Sequence, residues 1–203
     1  AGYIFTTEDT LAVALYLNET GKNPDAICKD ALDSIWLRLV NFTDAEYAHI
    51  LKAKELWLSA MEIKDIQKRI QHFSEQLLET PYSLGPTGEG FKGKIDSKPI
   101  FRLDSVDCVT YMENVLALSF APHEDSIFST LKQIRYLQEK PSFVNRKHYF
   151  VADWIQKSDF AKIVISKEDT TVEKKLPKKK FFEAKGIKQQ NDELLKLSYL
   201  PLD

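Results

Sequence analysis

The sequence predicts an α+β protein in which helices come first and short strands follow. The chain has 203 residues, of which 43% are hydrophobic and 29% charged, as in an ordinary globular protein. Up to about residue 80, apolar side chains recur every three or four positions, whereas short β-type runs occur only after residue 148. We therefore divide the chain into a helical N-terminal region, residues 1–80, and a core region, residues 81–203.

Helices account for the whole N-terminal region in this prediction. They cover residues 7–20, 24–39, 43–58 and 63–77. The third begins with a capping box, in which Thr43 is followed three residues later by Glu46. The fourth carries a one-sided apolar stripe, formed by Ile66, Ile70, Phe73 and Leu77.

The core region opens with a long loop, residues 81–99, that is rich in glycine and proline. Two helices are predicted after it, at residues 107–120 and 127–137, both with apolar faces. Short strands are predicted at residues 149–151 and 162–166. The lysine-rich segment 173–180 is predicted to be an exposed turn.

Charge and hydropathy exclude several classes of protein. Lys and Arg number 28 against 30 Asp and Glu, so the net charge is -2 and no positive field indicates a nucleic-acid partner. No apolar run reaches the roughly 18 residues that a membrane span needs. The start of the chain has no basic segment followed by an apolar one, so we expect a secretory signal to be absent or already removed.

The chain has only two cysteines, Cys28 and Cys108, which excludes a disulfide framework and a multi-cysteine zinc site. Cys28 lies within a predicted helix and is interpreted as a packing residue. Cys108 lies in the first turn of a predicted helix, where unpaired N–H groups stabilise a thiolate and can also bind an oxyanion. This position favours a nucleophile, although a small buried packing residue is the alternative.

Three stretches of the core region resemble one family of enzymes. They are Thr80-Pro81-Tyr82 with Gly88-Glu89-Gly90 and Asp96; Arg102, Asp104 and Asp107-Cys108-Val109-Thr110-Tyr111; and Asn145-Arg146-Lys147-His148-Tyr149 with Asp153-Trp154. Their order and spacing resemble the cell-envelope N-acetylmuramoyl-L-alanine amidase-like cysteine hydrolases, a branch of the NlpC-type papain-like superfamily. The resemblance implies a papain-like core whose cysteine-bearing helix packs on an antiparallel sheet. It also implies Cys108 as nucleophile, with no metal and no cofactor.

The same resemblance implies a function in the bacterial periplasm or cell envelope. The expected substrates are muramyl peptides derived from peptidoglycan, cut at the amide between N-acetylmuramic acid and L-alanine. Two alternatives stay open: an endopeptidase of the same fold that cuts the D-glutamyl-diamino-acid bond, and a cell-wall binding module without catalysis. The sequence does not indicate an oligomeric state.

A cysteine nucleophile needs a base, and His148 is the best candidate among the four histidines. Either Asp153 or Asn145 could orient it. The family pattern, however, usually places its histidine on a later strand, which we expect beyond Asp203. In that case His148 would line the substrate cleft instead. The other residues assigned to substrate binding are Tyr82, Glu89, Asp107, Arg146, Tyr149, Asp153 and Trp154.

Overall fold

Helices α1 to α4 carry the hydrophobic core of the protein. The computed structural model describes residues 44–90, 93–139, 141–161, 170–188 and 190–199. The helices span Asp44–Ser59 (α1), Ile66–Leu77 (α2), Cys108–Phe120 (α3) and Ile127–Arg135 (α4). All four were predicted within a few residues. The predicted helices at 7–20 and 24–39, Cys28, Thr43 and the predicted strand at 162–166 lie outside the described residues.

Helix α1 forms part of the core because its buried positions alternate in steps of three and four. The buried side chains are those of Glu46, Ile50, Ala53, Trp57 and, just after the helix, Ala60. The indole Nε1 of Trp57 donates to the carbonyl of Ala121 at 3.0 Å, which ties α1 to the end of α3. This stripe joins the same hydrophobic cluster as residues 100–134 and Trp154, so the core itself spans residue 80.

Helix α3 is the central helix of the described structure and packs against α1, α2 and α4. It was predicted to be apolar almost all round, yet it also buries Glu113 and Asn114. Glu113 pairs with Arg135 of α4 at 2.7 Å, and both side chains are almost completely buried. Asn114 donates through Nδ2 to the carbonyl of Arg102 at 3.0 Å. Each of these polar side chains therefore has a specific partner, although Asn114 Oδ1 and Arg135 Nη2 are buried without a hydrogen bond among the described residues.

The predicted strand at 149–151 is wrong, because Phe150–Ile155 forms a π-helix. The carbonyl of Tyr149 accepts hydrogen bonds from the N–H groups of Asp153 at 2.7 Å and Trp154 at 3.1 Å. The Asp153 carboxylate also accepts the Tyr149 N–H at 3.2 Å. These local hydrogen bonds occupy backbone N–H and C=O groups that a strand would use to pair with a neighbouring strand.

A β-hairpin replaces the predicted exposed turn at 173–180. Strand β1 (Thr170–Leu176) pairs antiparallel with β2 (Glu193–Tyr199), and helix α5 (Lys178–Glu183) lies between them in sequence. Lys178 is buried rather than solvated, since its Nζ contacts Asp153 and Glu193 at 2.5 Å each. The prediction failed because the local sequence, which is rich in lysine, indicates an exposed turn. The two carboxylates that neutralise Lys178 are distant in sequence and are not visible in that pattern.

The observed architecture confirms the α+β class, with helices and a small antiparallel sheet. The helix that begins at Cys108 packs mainly on other helices in the described part of the chain. Its predicted packing on a sheet and the papain-like core therefore remain predictions, as does the division at residue 80. Short 3₁₀ turns at Glu124–Ser126 and Leu137–Glu139 flank α4. No helix within the described ranges is long and apolar enough to cross a membrane.

Candidate active site at the start of helix α3

Cys108 is the first residue of α3, and its side chain is exposed and not in a disulfide. Its exposure contradicts the alternative in which Cys108 is a buried packing residue. No hydrogen-bond partner of its Sγ occurs among the residues that the structure describes. The thiol is therefore accessible to a ligand at the N-terminal end of a buried helix.

Asp107 is the N-cap of this helix, and both of its carboxylate oxygens are occupied. Oδ1 accepts from the N–H and the hydroxyl of Thr110, both at 2.8 Å, and Oδ2 accepts from the N–H of Gly85 at 3.1 Å. Burial raises the pKa of Asp107, but the hydrogen bonds from Thr110 and Gly85 outweigh it and the net pKa is lowered. Asp107 thus fixes the cysteine turn and the loop, and its substrate contact stays a prediction.

The glycine-rich loop is held by Glu89, whose predicted substrate contact stays a prediction. Its Oε2 accepts the N–H groups of Ile95 at 3.2 Å and Asp96 at 3.4 Å, and its Oε1 accepts the Phe143 N–H. Gly88 is required at this position, because a Cβ there would lie 2.7 Å from the backbone carbonyl oxygen of Asp96, which cannot move away as a side chain can. These hydrogen bonds and this close packing therefore hold the loop in a defined conformation.

Arg146 anchors the same loop from the other side. Its Nη1 donates to the carbonyl of Thr87 at 2.6 Å, and its Nη2 donates to the Thr87 hydroxyl at 2.9 Å. Tyr136, which pairs with Arg146 in an isolated bridge, donates its hydroxyl to the carbonyl of Gly88 at 3.3 Å. The positive charge of Arg146 also lowers the pKa of Asp107, after the effects of burial and hydrogen bonds. Arg146 therefore positions the loop beside the cysteine turn.

Tyr82 lies next to the cysteine turn and keeps most of its ring in solvent. It forms an isolated parallel bridge with Val106, two residues before Cys108. The N–H of Ser83 donates to the Val106 carbonyl at 2.9 Å, and the Val106 N–H donates to the Pro81 carbonyl at 3.0 Å. With 70% of Tyr82 exposed, its ring is free to contact a ligand at the cysteine.

His148 belongs to an aromatic cluster with Phe143, Phe181 and Phe182, whose ring centroids lie 4.4, 5.1 and 5.6 Å from its own. Its Nε2 lies 2.6 Å from the carbonyl of Phe143. Because a carbonyl only accepts, Nε2 carries the proton and Nδ1 is the free acceptor of the neutral ring. Burial lowers the pKa of His148, which favours that neutral form. No hydrogen bond joins it to Cys108 in the described ranges.

The remaining predicted site residues follow His148 along the chain. Tyr149 is half-buried, with Lys178 Nζ 5.4 Å from its ring centroid. Asp153 does not orient His148 by a hydrogen bond, because its carboxylate pairs with Lys157 and Lys178 at 2.8 and 2.5 Å. Trp154 is only 2% exposed and stacks on Phe150, so it has no free face for a sugar. Because it is buried in the core, Trp154 is not positioned to bind the substrate as predicted.

The structure thus gathers Tyr82, Asp107 and Cys108 at one turn and brings Arg146 to the adjoining loop. Sequence reasoning missed Thr87 and Tyr136, whose contacts hold that loop, because neither lies in a recognisable motif. Within the described ranges, no group of three His, Cys, Asp or Glu side chains could hold a metal ion. The arrangement can therefore present a thiol, helix N–H groups and an exposed aromatic ring to one ligand.

Comparison with known proteins identifies the family of this chain. A model of the N-acetylmuramoyl-L-alanine amidase-like family (AmiA-like) matches residues 72–203, which include the whole site described above. The chain belongs to this family. No curated protein matches the chain.

Two solved structures are similar to this AmiA-like chain. The crystal structure of protein LPG0564 from Legionella pneumophila, of family DUF1460, is 23% identical with a TM-score of 0.63 over 77% of this chain. The match covers 64% of the Legionella protein, so the chain spans less than two thirds of that protein's length. This likeness shows a shared fold. An N-acetylmuramoyl-L-alanine amidase from Bacteroides uniformis is 28% identical, with a TM-score of 0.38 over 45% of this chain and 38% of that one.

Proposed function

We propose that this AmiA-like protein is a cysteine-dependent amidase that cleaves the bond between N-acetylmuramic acid and L-alanine in muramyl peptides. The observation that carries the proposal is the exposed Cys108 at the N-terminus of α3, within the segment that matches the family. An NlpC-type, papain-like core and a location in the periplasm or cell envelope, where peptidoglycan lies, belong to the same proposal.

Two backbone groups next to Cys108 support acyl transfer. In the first turn of a helix the N–H groups have no intrahelical acceptor. Asp107 takes the N–H of Thr110, so the N–H groups of Cys108 and Val109 remain for a ligand. They can donate to the oxygen that becomes negative when a thiolate attacks a carbonyl, and such donors contribute about 2.7–4 kcal/mol each in acyl-transfer enzymes.

The proposed reaction has two steps. The Cys108 thiolate attacks the lactyl carbonyl of muramic acid, the amide C–N bond breaks, and the amino group of L-alanine leaves with a proton. A thioester then links Cys108 to the muramic acid, and water hydrolyses it to a free carboxylate and the restored thiol. Tyr82, which is exposed beside Val106, is the proposed contact for the substrate next to the scissile bond.

His148 is the proposed base. Its burial keeps the ring neutral near pH 7, and its free Nδ1 can accept the thiol proton. The Phe143 carbonyl fixes the tautomer, which is the function that a third polar group has in many cysteine and serine hydrolases. Rotation of the ring is restricted by the surrounding phenylalanines, so the acceptor direction is fixed as well.

The decisive experiment incubates the protein with a muramyl tripeptide and identifies the products by mass spectrometry. We expect N-acetylmuramic acid and a tripeptide with a free amino group. Cys108→Ala should abolish turnover while the protein remains folded. Cys28→Ala, which removes the other thiol of the chain, is the matched control and should retain the activity.

Each other product pattern contradicts the proposal in a distinct way. Release of a diamino acid instead of muramic acid would indicate the D-glutamyl endopeptidase. Binding without any product would indicate a cell-wall binding module. A Cys108→Ala variant with unchanged turnover would refute the cysteine mechanism. For His148, a Gln variant that keeps both turnover and its pH profile would assign the base elsewhere.

A further inference from the structure

The hairpin formed by β1, α5 and β2 carries positive charge that the proposed reaction does not use. Residues 170–199 contain eight lysines and four acidic residues, so this segment has a net charge of +4. The rest of the chain has 20 basic and 26 acidic residues, which gives a net charge of -6. A protein with charges divided in this way turns its positive part toward a negatively charged surface.

Every acidic residue of the hairpin already has a lysine partner. The four pairs are Glu173 with Lys196 at 3.1 Å, Asp192 with Lys175 at 3.0 Å, Glu193 with Lys178 at 2.5 Å and Glu183 with Lys179 at 4.0 Å. The other four lysines are exposed, and their side chains have no ion pair or hydrogen bond within the described ranges. These surplus lysines are Lys174, Lys180, Lys185 and Lys188. Pairing inside the hairpin therefore leaves four positive charges in solvent.

The surplus lysines lie toward the same end of the hairpin. The last pair of the ladder is Leu176 with Glu193, and Lys174 lies two residues before it on β1. The other three lie in the connection between the strands, residues 177–192. We call residues 174–194 the basic end of the hairpin. Their charges are concentrated there by the topology of the chain.

Helix α5 fixes the basic end to the rest of the protein. It buries Lys178 and Phe182, which are four residues apart and therefore lie on one face. Lys180 is exposed on the outward side of the same helix. Lys185 follows the helix and lies over the ring of Phe143, 5.9 Å from its centroid, which leaves its charge in place. One face of α5 thus anchors the basic end while the other presents charge.

The composition of the basic end fits a diffuse negative surface better than a single bound phosphate. Its cations are all lysines, which are point charges on flexible stems, and residues 170–199 contain no arginine, the residue that binds phosphate bidentately. Leu194 lies opposite Lys175, one pair from the end of the ladder, and is 62% exposed. An exposed leucine among lysines suits a lipid surface, because the leucine enters the acyl boundary while the lysines meet the headgroups.

We propose that the basic end of the hairpin binds the surface of an anionic phospholipid bilayer. Nucleic acid is the competing polyanion, but proteins bind single strands by stacking the bases on aromatic rings. Here Phe182 is buried, and the half-buried Phe181 packs against the ring of His148. The attachment goes beyond the proposed reaction, since it needs neither the thiol nor a muramyl peptide. It would hold the protein at a membrane surface in the proposed cell-envelope location.

The test measures flotation of the purified protein with phospholipid vesicles. One set of vesicles is an equal mixture of phosphatidylglycerol and phosphatidylcholine, and the other is phosphatidylcholine alone. We expect binding to the anionic vesicles only. This binding should weaken at least tenfold between about 0.1 M and about 1 M salt, because the Debye length falls from about 10 Å to about 3 Å. Equal binding to both sets, or binding to neither, would overturn the proposal.

Two variants with the same change in charge locate the surface. The first replaces the four surplus lysines by glutamine. The second replaces four exposed lysines elsewhere by glutamine, namely Lys52, Lys64, Lys68 and Lys94. Each lysine near an anionic membrane contributes about fivefold to binding, so the first variant should bind several hundredfold more weakly. The second should bind about as well as the unmutated protein, and equal losses in the two variants would refute the assignment to the hairpin.

Leu194→Ser tests the apolar part of the contact. It should weaken binding about tenfold at both salt concentrations, because burial of a leucine in the acyl boundary does not depend on charge. The control is Val172→Ser, which is 44% exposed but lies on the opposite face of the hairpin and farther from the basic end. Equal effects of the two substitutions would refute the proposed insertion of Leu194. The thermal transition of each variant checks that it folds.

Nucleic acid and turnover are measured beside lipid binding. A fluorescent single-stranded oligonucleotide that binds the protein at about 0.1 M salt while the anionic vesicles do not would overturn the proposal. The vesicles contain no muramyl peptide, so lipid binding and the amidase fail separately. Flotation without turnover would refute the amidase and support the lipid surface, and turnover without flotation would do the reverse.

Discussion

The buried ion pair between Glu113 and Arg135 provides the sharpest test of how the cysteine helix is held. The Arg135 Nε lies 2.7 Å from the Glu113 Oε2, with side-chain exposures of 0% and 2%. Arg135 also donates through Nη1 to the carbonyl of Ile100. Arg135→Met removes both interactions and leaves a carboxylate in the core. Breaking a buried pair by removing one partner costs about 3–5 kcal/mol.

That cost is a large part of the 5–15 kcal/mol by which proteins of this kind are stable. We expect Arg135→Met to lower the free energy of unfolding by about 3–5 kcal/mol in urea denaturation, followed by tryptophan fluorescence. Trp57 and Trp154 are buried and report the core directly. The double variant Glu113→Leu with Arg135→Met removes the stranded charge. It should recover most of the loss, leaving a deficit of about 1–3 kcal/mol for the unpaired Ile100 carbonyl.

The control is an ion pair at the surface. Lys196 and Glu173 are 3.1 Å apart but keep 69% and 53% of their side chains exposed, so Lys196→Met should cost at most about 1 kcal/mol. A loss below about 1 kcal/mol for Arg135→Met would refute this account of the core. A double variant as unstable as the sum of its single variants would refute it as well.

Three further predictions concern capping, titration and the hairpin. Asp107→Ala should lower the unfolding free energy by about 0.5–2 kcal/mol through loss of the helix cap, whereas the exposed Asp104→Ala should cost less than about 1 kcal/mol, both measured by urea denaturation. Equal losses would contradict the capping function. The lowered pKa of His148 means that the unfolded chain binds more protons just below pH 6.5, so stability falls as the pH drops through that window. His148→Gln should flatten this fall in denaturation at several pH values, and an unchanged slope would contradict it. Lys178→Met should cost about 1–3 kcal/mol because two carboxylates lose a buried partner, while Lys175→Met, 72% exposed in its pair, should change stability by under about 1 kcal/mol in thermal unfolding.

Local patterns were sufficient to predict the helices of the core. The stripe of Ile66, Ile70, Phe73 and Leu77 follows helical spacing, and Asp107 occupies a capping position before an apolar run, so neighbours in sequence determine both elements. The position of Cys108 at a helix start follows from the same information. The motifs around it also predicted the amidase-like family, which the family match confirms for residues 72–203.

What the sequence by itself determined, then, is the helical spacing, the capped turn that presents Cys108 and the family. Tertiary structure alone decided that Trp154 is buried and that the carboxylates of Glu89 and Asp107 accept hydrogen bonds from backbone N–H groups. It also decided that Lys178 forms an ion pair with Asp153. The physical reason is range: helical periodicity and caps depend on residues within one turn, whereas burial and charge pairing depend on partners far away in sequence.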